Sequence, residues 1–250
     1  MKKKNFYLLL LLLFINSHSL LIAQIRPKET KSQYQSWFSI NGNIYLKNKW
    51  SLLTDLHIRR NNFLSDPNFY FLRGGVQYQL TKNLSVAAGY AHLWLASAIP
   101  GRKNFTSENR FFEQLQYNSV IGKVNLVQRL RKEQRWQQKV VNDIYTGQLR
   151  FTNRVRYLLN ITVPVFKQDA LPSLVVADEL LVHFGKEVVY NTFDQNRIFI
   201  GVKQKINAQL SFDIGYMQVY QQKFSGYQYD RSHTFRLFFY YNNLSQLAHK

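Results

Sequence analysis

The chain of 250 residues contains no cysteine, 5 proline and 11 glycine. Without cysteine there is no disulfide scaffold and no thiolate site for zinc or an iron–sulfur cluster. So little proline and glycine excludes a collagen-like or linker-like chain. Acid is scarce: 14 Asp+Glu stand against 33 Lys+Arg, for a formal charge of +19. Long apolar runs are scarce too. Beyond residue 23 no stretch is apolar for the ~18 residues a membrane helix requires, and the mean hydropathy of −0.31 excludes a helical membrane bundle. No HExxH, P-loop or GxGxxG pattern occurs, and the histidines are too scattered for a metal site. What is abundant is aromatic: 16 Tyr and 19 Phe in a chain that is 46% apolar, too rich for disorder.

The first segment reads as an export signal. Lys2, Lys3 and Lys4 precede the apolar run Phe6 to Ile15, and a mixed stretch ends in Leu21-Ile22-Ala23. This three-part pattern predicts a cleaved signal peptide over 1–23. Its removal takes three lysines and no acid, leaving +19 − 3 = +16. A polar arm over 24–32 would follow.

From there the chain alternates with period two, the signature of strands with one apolar and one polar face. Between Gln148 and Val163, Leu149, Phe151, Val155, Tyr157, Leu159, Ile161 and Val163 share one face. Arg150, Thr152, Arg154, Arg156, Asn160 and Thr162 share the other. The pattern recurs around Leu72–Leu80, Leu126–Arg135, Arg197–Lys203, Leu210–Tyr216 and Arg236–Tyr241. Tight polar links stand at Lys47-Asn48-Lys49, Thr81-Lys82-Asn83, Gly122-Lys123 and Asn207-Ala208, with longer links near 62–68, 96–107, 136–148, 185–193 and 222–230.

These features predict an all-β fold: a transmembrane, antiparallel up-and-down barrel over 33–242, with a tail over 243–250 and no second domain. The predicted strands of about 11–14 residues exceed the ~9–11 a tilted strand needs in hydrocarbon. Short and long links alternate as in outer-membrane barrels, and closure leaves no backbone edge in lipid. Eleven strands can be traced, but single-chain bacterial barrels have even counts. The expectation is ten to twelve, with twelve favoured. The alternative architecture is a soluble periplasmic barrel with its apolar face inside.

Alternation assigns an inward ladder of charge: Arg59, Arg73, Arg110, Arg129, Arg131, Glu133, Arg135, Arg150, Arg154, Arg156, Glu179, Arg197, Lys203, Asp213 and Arg236, with Asp55 available to face it. Such a ladder can rigidify a narrow barrel through bidentate arginine–carboxylate pairs. It can also line a pore that prefers anions. Trp37, Trp50, Tyr90, Trp94, Trp136, Tyr220 and Tyr240 lie near strand ends and suit the two membrane interfaces. The implied partners are outer-membrane lipid and lipopolysaccharide, and small anionic solutes if the lumen conducts. The charge carries no nucleic-acid recognition motif. No cofactor is implied.

Enzymatic activity is not expected. A membrane-embedded lipid hydrolase or acyltransferase would need Ser, His and an orienting group together on the outer wall, and His57, His92, His183, His233 and His249 show no obvious serine partner. His183 and Glu179 share a face, but a structural histidine is the simpler reading. The specific activity is not written in the sequence. The expected location is the outer membrane of a Gram-negative bacterium, as an envelope structural protein or a small anion-preferring pore.

The ordered motifs Trp37, Trp50, Arg59-Arg60, Leu84…Gly89-Tyr90, Glu108-Asn109-Arg110, Arg129 to Arg135 and Arg154-Val155-Arg156-Tyr157 continue in Glu179, Gln195-Asn196-Arg197, Gly201, Gly215-Tyr216-Met217 and His233. In this order they resemble the DUF2490 family, uncharacterised outer-membrane β-barrel proteins common in Bacteroidetes. The resemblance spans nearly the whole mature chain. It implies an outer-membrane barrel and no activity.

Overall fold

The computed structural model describes residues 27–97, 104–141, 144–166, 171–190 and 192–243. Residues 1–23, the predicted signal peptide, lie outside them. Eleven strands form one closed barrel and no helix occurs among the described residues: β1 (Glu29–Lys47), β2 (Trp50–Asn61), β3 (Asp66–Gln79), β4 (Leu84–Ala96), β5 (Phe105–Ile121), β6 (Val124–Val141), β7 (Ile144–Pro164), β8 (Ser173–Phe184), β9 (Phe193–Lys205), β10 (Leu210–Gln222) and β11 (Gln228–Asn242). Each strand pairs antiparallel with its sequence neighbours.

The twelfth strand is not needed. β1 and β11 run parallel, in register from Glu29↔Gln228 to Asn43↔Asn242. An odd number of meandering strands brings the first and last together pointing the same way, so a parallel ladder closes the ring. Two further expectations change with it. The arm 24–32 is shorter than read, because Glu29 to Ser32 already pair with Gln228 to Arg231. The barrel therefore starts at Glu29, and its two ends of chain leave from opposite rims.

Turn chemistry fixes the hairpins. Asn48 and Lys49 both have positive φ (50° and 70°), the primed turn that matches strand twist. Thr81 Oγ1 accepts the amides of Asn83 and Leu84, and Asn207 Oδ1 those of Gln209 and Leu210. The expected strict alternation of short and long links does not hold. β6 and β7 continue past the rim as a paired ribbon to Val141↔Ile144, so the long link read at 136–148 is mostly strand. At the opposite rim, residues 165–172 separate β7 from β8.

The outer wall is apolar. Ile40, Leu56, Leu72, Val76, Leu130, Ile198 and Ile200 are exposed there. Aromatic pairs bracket this band: Tyr70 lies opposite Trp94, and Tyr78 opposite Trp50 at a ring separation of 4.8 Å. The eight steps from Tyr70 to Tyr78 span about 26 Å along β3 at ~3.3 Å per residue. Tilted ~40° they rise about 20 Å, close to the ~25 Å apolar band of membrane barrels.

The inside is packed with polar side chains and a few rings. Where Phe112 and Phe199 lie flat on the wall, glycine is required. A Cβ at Gly89 would come within 2.8 Å of the Phe112 ring, and one at Gly201 within 2.6 Å of Phe199.

Candidate functional site

The charged interior forms one lattice and three satellites. Arg154 on β7 donates to Glu133 on β6 (2.8 Å) and to Asp194 on β9 (2.9 Å). Two residues on, Arg156 donates to the same Glu133 (2.8 Å) and to Glu179 on β8 (2.7 Å). Glu179 also accepts from Arg129 on β6 (2.9 Å) and Arg197 on β9 (3.0 Å). Period two is what stacks Arg154 above Arg156 and lets each carboxylate bridge two guanidiniums. Contacts such as β6 to β8 and β7 to β9 skip a strand, so the lattice ties the wall together across its concave side.

The satellites follow the same rule. Glu108 accepts from Arg110 (2.5 Å) and Arg135 (2.7 Å), and Asp55 from Arg73. Asp213 accepts from Arg236 (2.9 Å) and from the Tyr240 hydroxyl (2.7 Å). Glu108, Arg131, Glu133 and Arg154 are each exposed by no more than 4%.

Among the described residues the interior holds ten arginines (59, 73, 110, 129, 131, 135, 154, 156, 197, 236) and six carboxylates (55, 108, 133, 179, 194, 213). Two guanidiniums have no carboxylate among the described residues. Arg131 donates to the Gln114 amide oxygen (3.0 Å) and lies by the Phe112 ring. Arg59 is clipped between Trp37, 3.2 Å from the ring centre, and Phe69, at 4.1 Å. Aromatic faces and an amide dipole take the place of counter-ions there.

A family model described as protein of unknown function, DUF2490, matches residues 34–233. The chain belongs to the DUF2490 family. The match runs from β1 into β11 and so takes in every interior carboxylate. No curated protein and no solved structure matches this chain.

Within this DUF2490 barrel three sequence expectations shift. Trp37 and Tyr240 do not sit at a membrane interface. Both point inward, Trp37 under Arg59 and Arg197 and Tyr240 onto Asp213. Parity explains it, since Trp37 pairs with Arg236 and Arg59 and Tyr240 lies four residues from Arg236 on one face. Trp50, Tyr90 and Trp94 are exposed, Trp136 packs on Phe151, and Tyr220 stacks on Tyr229 under Lys28. Arg150 is not in the lattice but at the rim, over the Phe224 ring and 4.0 Å from Glu187. Lys203 lies at the opposite end, over the Tyr240 ring.

Glu179 is engaged by three arginines, while His183 lines a cavity of about 80 Å³ at the rim with Arg150, Glu187, Tyr190 and Phe224. Two interior acids lie outside the ladder expected from sequence: Glu108 in a satellite, although it shares parity with Arg110, and Asp194 in the lattice, at the very start of β9. No group of three or more His, Asp or Glu among the described residues could hold a metal.

Proposed function

We propose that this protein is an outer-membrane β-barrel whose interior is closed, an envelope structural protein and not a pore. The observation that carries this reading is the buried Asp194–Arg154–Glu133–Arg156–Glu179 chain, with Arg129 and Arg197 joined to its end. Side chains that donate to carboxylates two strands away bridge the concave side of the wall and fill lumen space that a permeating ion would need. The apolar outer wall and its bracketing aromatics support membrane insertion. Exposed Lys47, Lys49, Lys82, Lys123 and Lys205 crowd the rim where β1–β2, β3–β4, β5–β6 and β9–β10 turn, suited to lipid phosphates.

The lipid-hydrolase alternative finds one partial support. His92 Nδ1 lies 2.6 Å from Asn109 Oδ1 on the outer wall, and no serine hydroxyl bonds that histidine among the described residues. The Ser39–His57 contact, at 3.3 Å, is inside the barrel.

Reconstituted in a planar bilayer, the protein should give no stable conductance. Anion-selective steps would replace the closed reading with the pore. Recovery in the aqueous fraction after cell breakage, without detergent, would overturn the membrane location itself. Turnover of phospholipid by the purified protein, lost in His92→Ala, would favour the hydrolase.

A further inference from the structure

The outer wall is not uniform. From β10 round to β2 its middle presents Ile214, Leu237, Ile40 and Leu56, whereas between β8 and β9 the outward Asp178 accepts from Asn196 (2.6 Å) beside Ile198 and Ile200. On β5 and β6 it carries charge. Glu113 and Lys132 face outward as a pair at 3.6 Å, their side chains 72% and 46% exposed. Their height is fixed by their own strand. Trp136 lies four residues from Lys132 toward one girdle, and Gln128, opposite Tyr117, four residues toward the other. The pair is thus about 13 Å along the strand from either aromatic level, midway in the apolar band. Beside it Gln134 faces Asn153, and Asn109 accepts from the Tyr90 hydroxyl (2.6 Å).

Charge on a barrel's lipid face is least favourable at the midplane. An outer wall that carries no ion pair from β10 round to β2 among the described residues, and on β5 and β6 carries one with neighbouring amides, has a side that is not meant for lipid. We propose that this side, centred on Glu113 and Lys132, is covered by a second copy of the chain in an isologous contact; the proposal rests on the membrane reading above. The charges themselves favour a like partner. An acid and a base side by side are self-complementary under a two-fold axis, which lays each Lys132 against the partner's Glu113. With that axis between β5 and β6, the two copies of Gln134 stand one strand to either side of it.

The absence of native cysteine makes the test direct. Gln134→Cys in the full chain, oxidised in native membranes, should give a cross-linked dimer, and Leu237→Cys on the opposite wall should not. Glu113→Lys or Lys132→Glu alone should abolish the dimer in lipid nanodiscs, read by native mass spectrometry. The exchange Glu113→Lys with Lys132→Glu should restore it, because complementarity is kept. A membrane-inserted monomer, a cross-link to some other protein, or equal cross-linking from both walls overturns the proposal and leaves the membrane reading standing. Protein recovered in the aqueous fraction overturns the reading beneath it.

Discussion

Glu179 accepts from Arg129, Arg156 and Arg197, three cations that have few other places to put their charge. A buried ion pair adds little net stability, but removing one partner strands the other. Glu179→Ala should therefore destabilise the barrel by about 3–5 kcal/mol. Arg59 is the contrasting case. It has no carboxylate, only the faces of Trp37 and Phe69. Arg59→Met keeps the stem between those rings and loses a cation–π contact worth about 0.5–2 kcal/mol. Urea unfolding in lipid vesicles should rank the two variants in that order. Equal costs would mean that the lattice does not carry the interior.

Much of this lattice could be read from parity alone. Arg129, Arg131, Glu133 and Arg135 alternate with Leu126 and Leu130, so their common side was fixed once strands were assumed. Which arginine finds which acid was not legible. That depends on register between strands distant in sequence, such as Arg154 with Asp194. Trp37 departs from its expected place for a related reason. Position near a strand end argues for an interface, whereas parity with Arg59 argues for the interior, and packing under a guanidinium follows parity.

Among the elements, β7 is the longest at 21 residues, and its partner β6 has 18. Their last rungs, Gln138↔Leu149, Val140↔Tyr145 and Val141↔Ile144, pair only with each other, since β5 meets β6 no further than Glu108↔Gln137 and β8 meets β7 no further than Asn153↔Phe184. In sequence this ribbon reads as a loop because Gln137, Gln138 and Lys139 break the alternation, and a two-stranded ribbon without a core has no apolar face to reveal it. The projecting rungs should contribute nothing to closure. A variant with residues 140–146 replaced by a short turn should insert, and should unfold within about 0.5 kcal/mol of the parent, as surface changes do. Failure to insert would show that the ribbon guides assembly.

At the scale of the whole molecule, eleven strands and a parallel seam have a topological consequence. In an even-stranded meander both chain ends emerge at one rim. Here β1 enters beside Gln228 and β11 leaves at Asn242, at the rim of the Asn48 and Gly122 turns. Across a membrane the two ends face different compartments. In the proposed outer-membrane setting, single cysteines at Lys28 and Asn48 would be separated by the bilayer although the first immediately precedes β1 and the second follows it. In intact cells a membrane-impermeant maleimide should label one of them, and the other only after the outer membrane is permeabilised. The paired sites differ in rim and not in burial, since both residues are exposed. Equal labelling of both in intact cells would require an extra crossing or an open seam between β1 and β11. The fifteen-residue register from Glu29 to Asn43 argues against the open seam, because each lost rung would leave backbone groups unpaired in hydrocarbon at several kcal/mol.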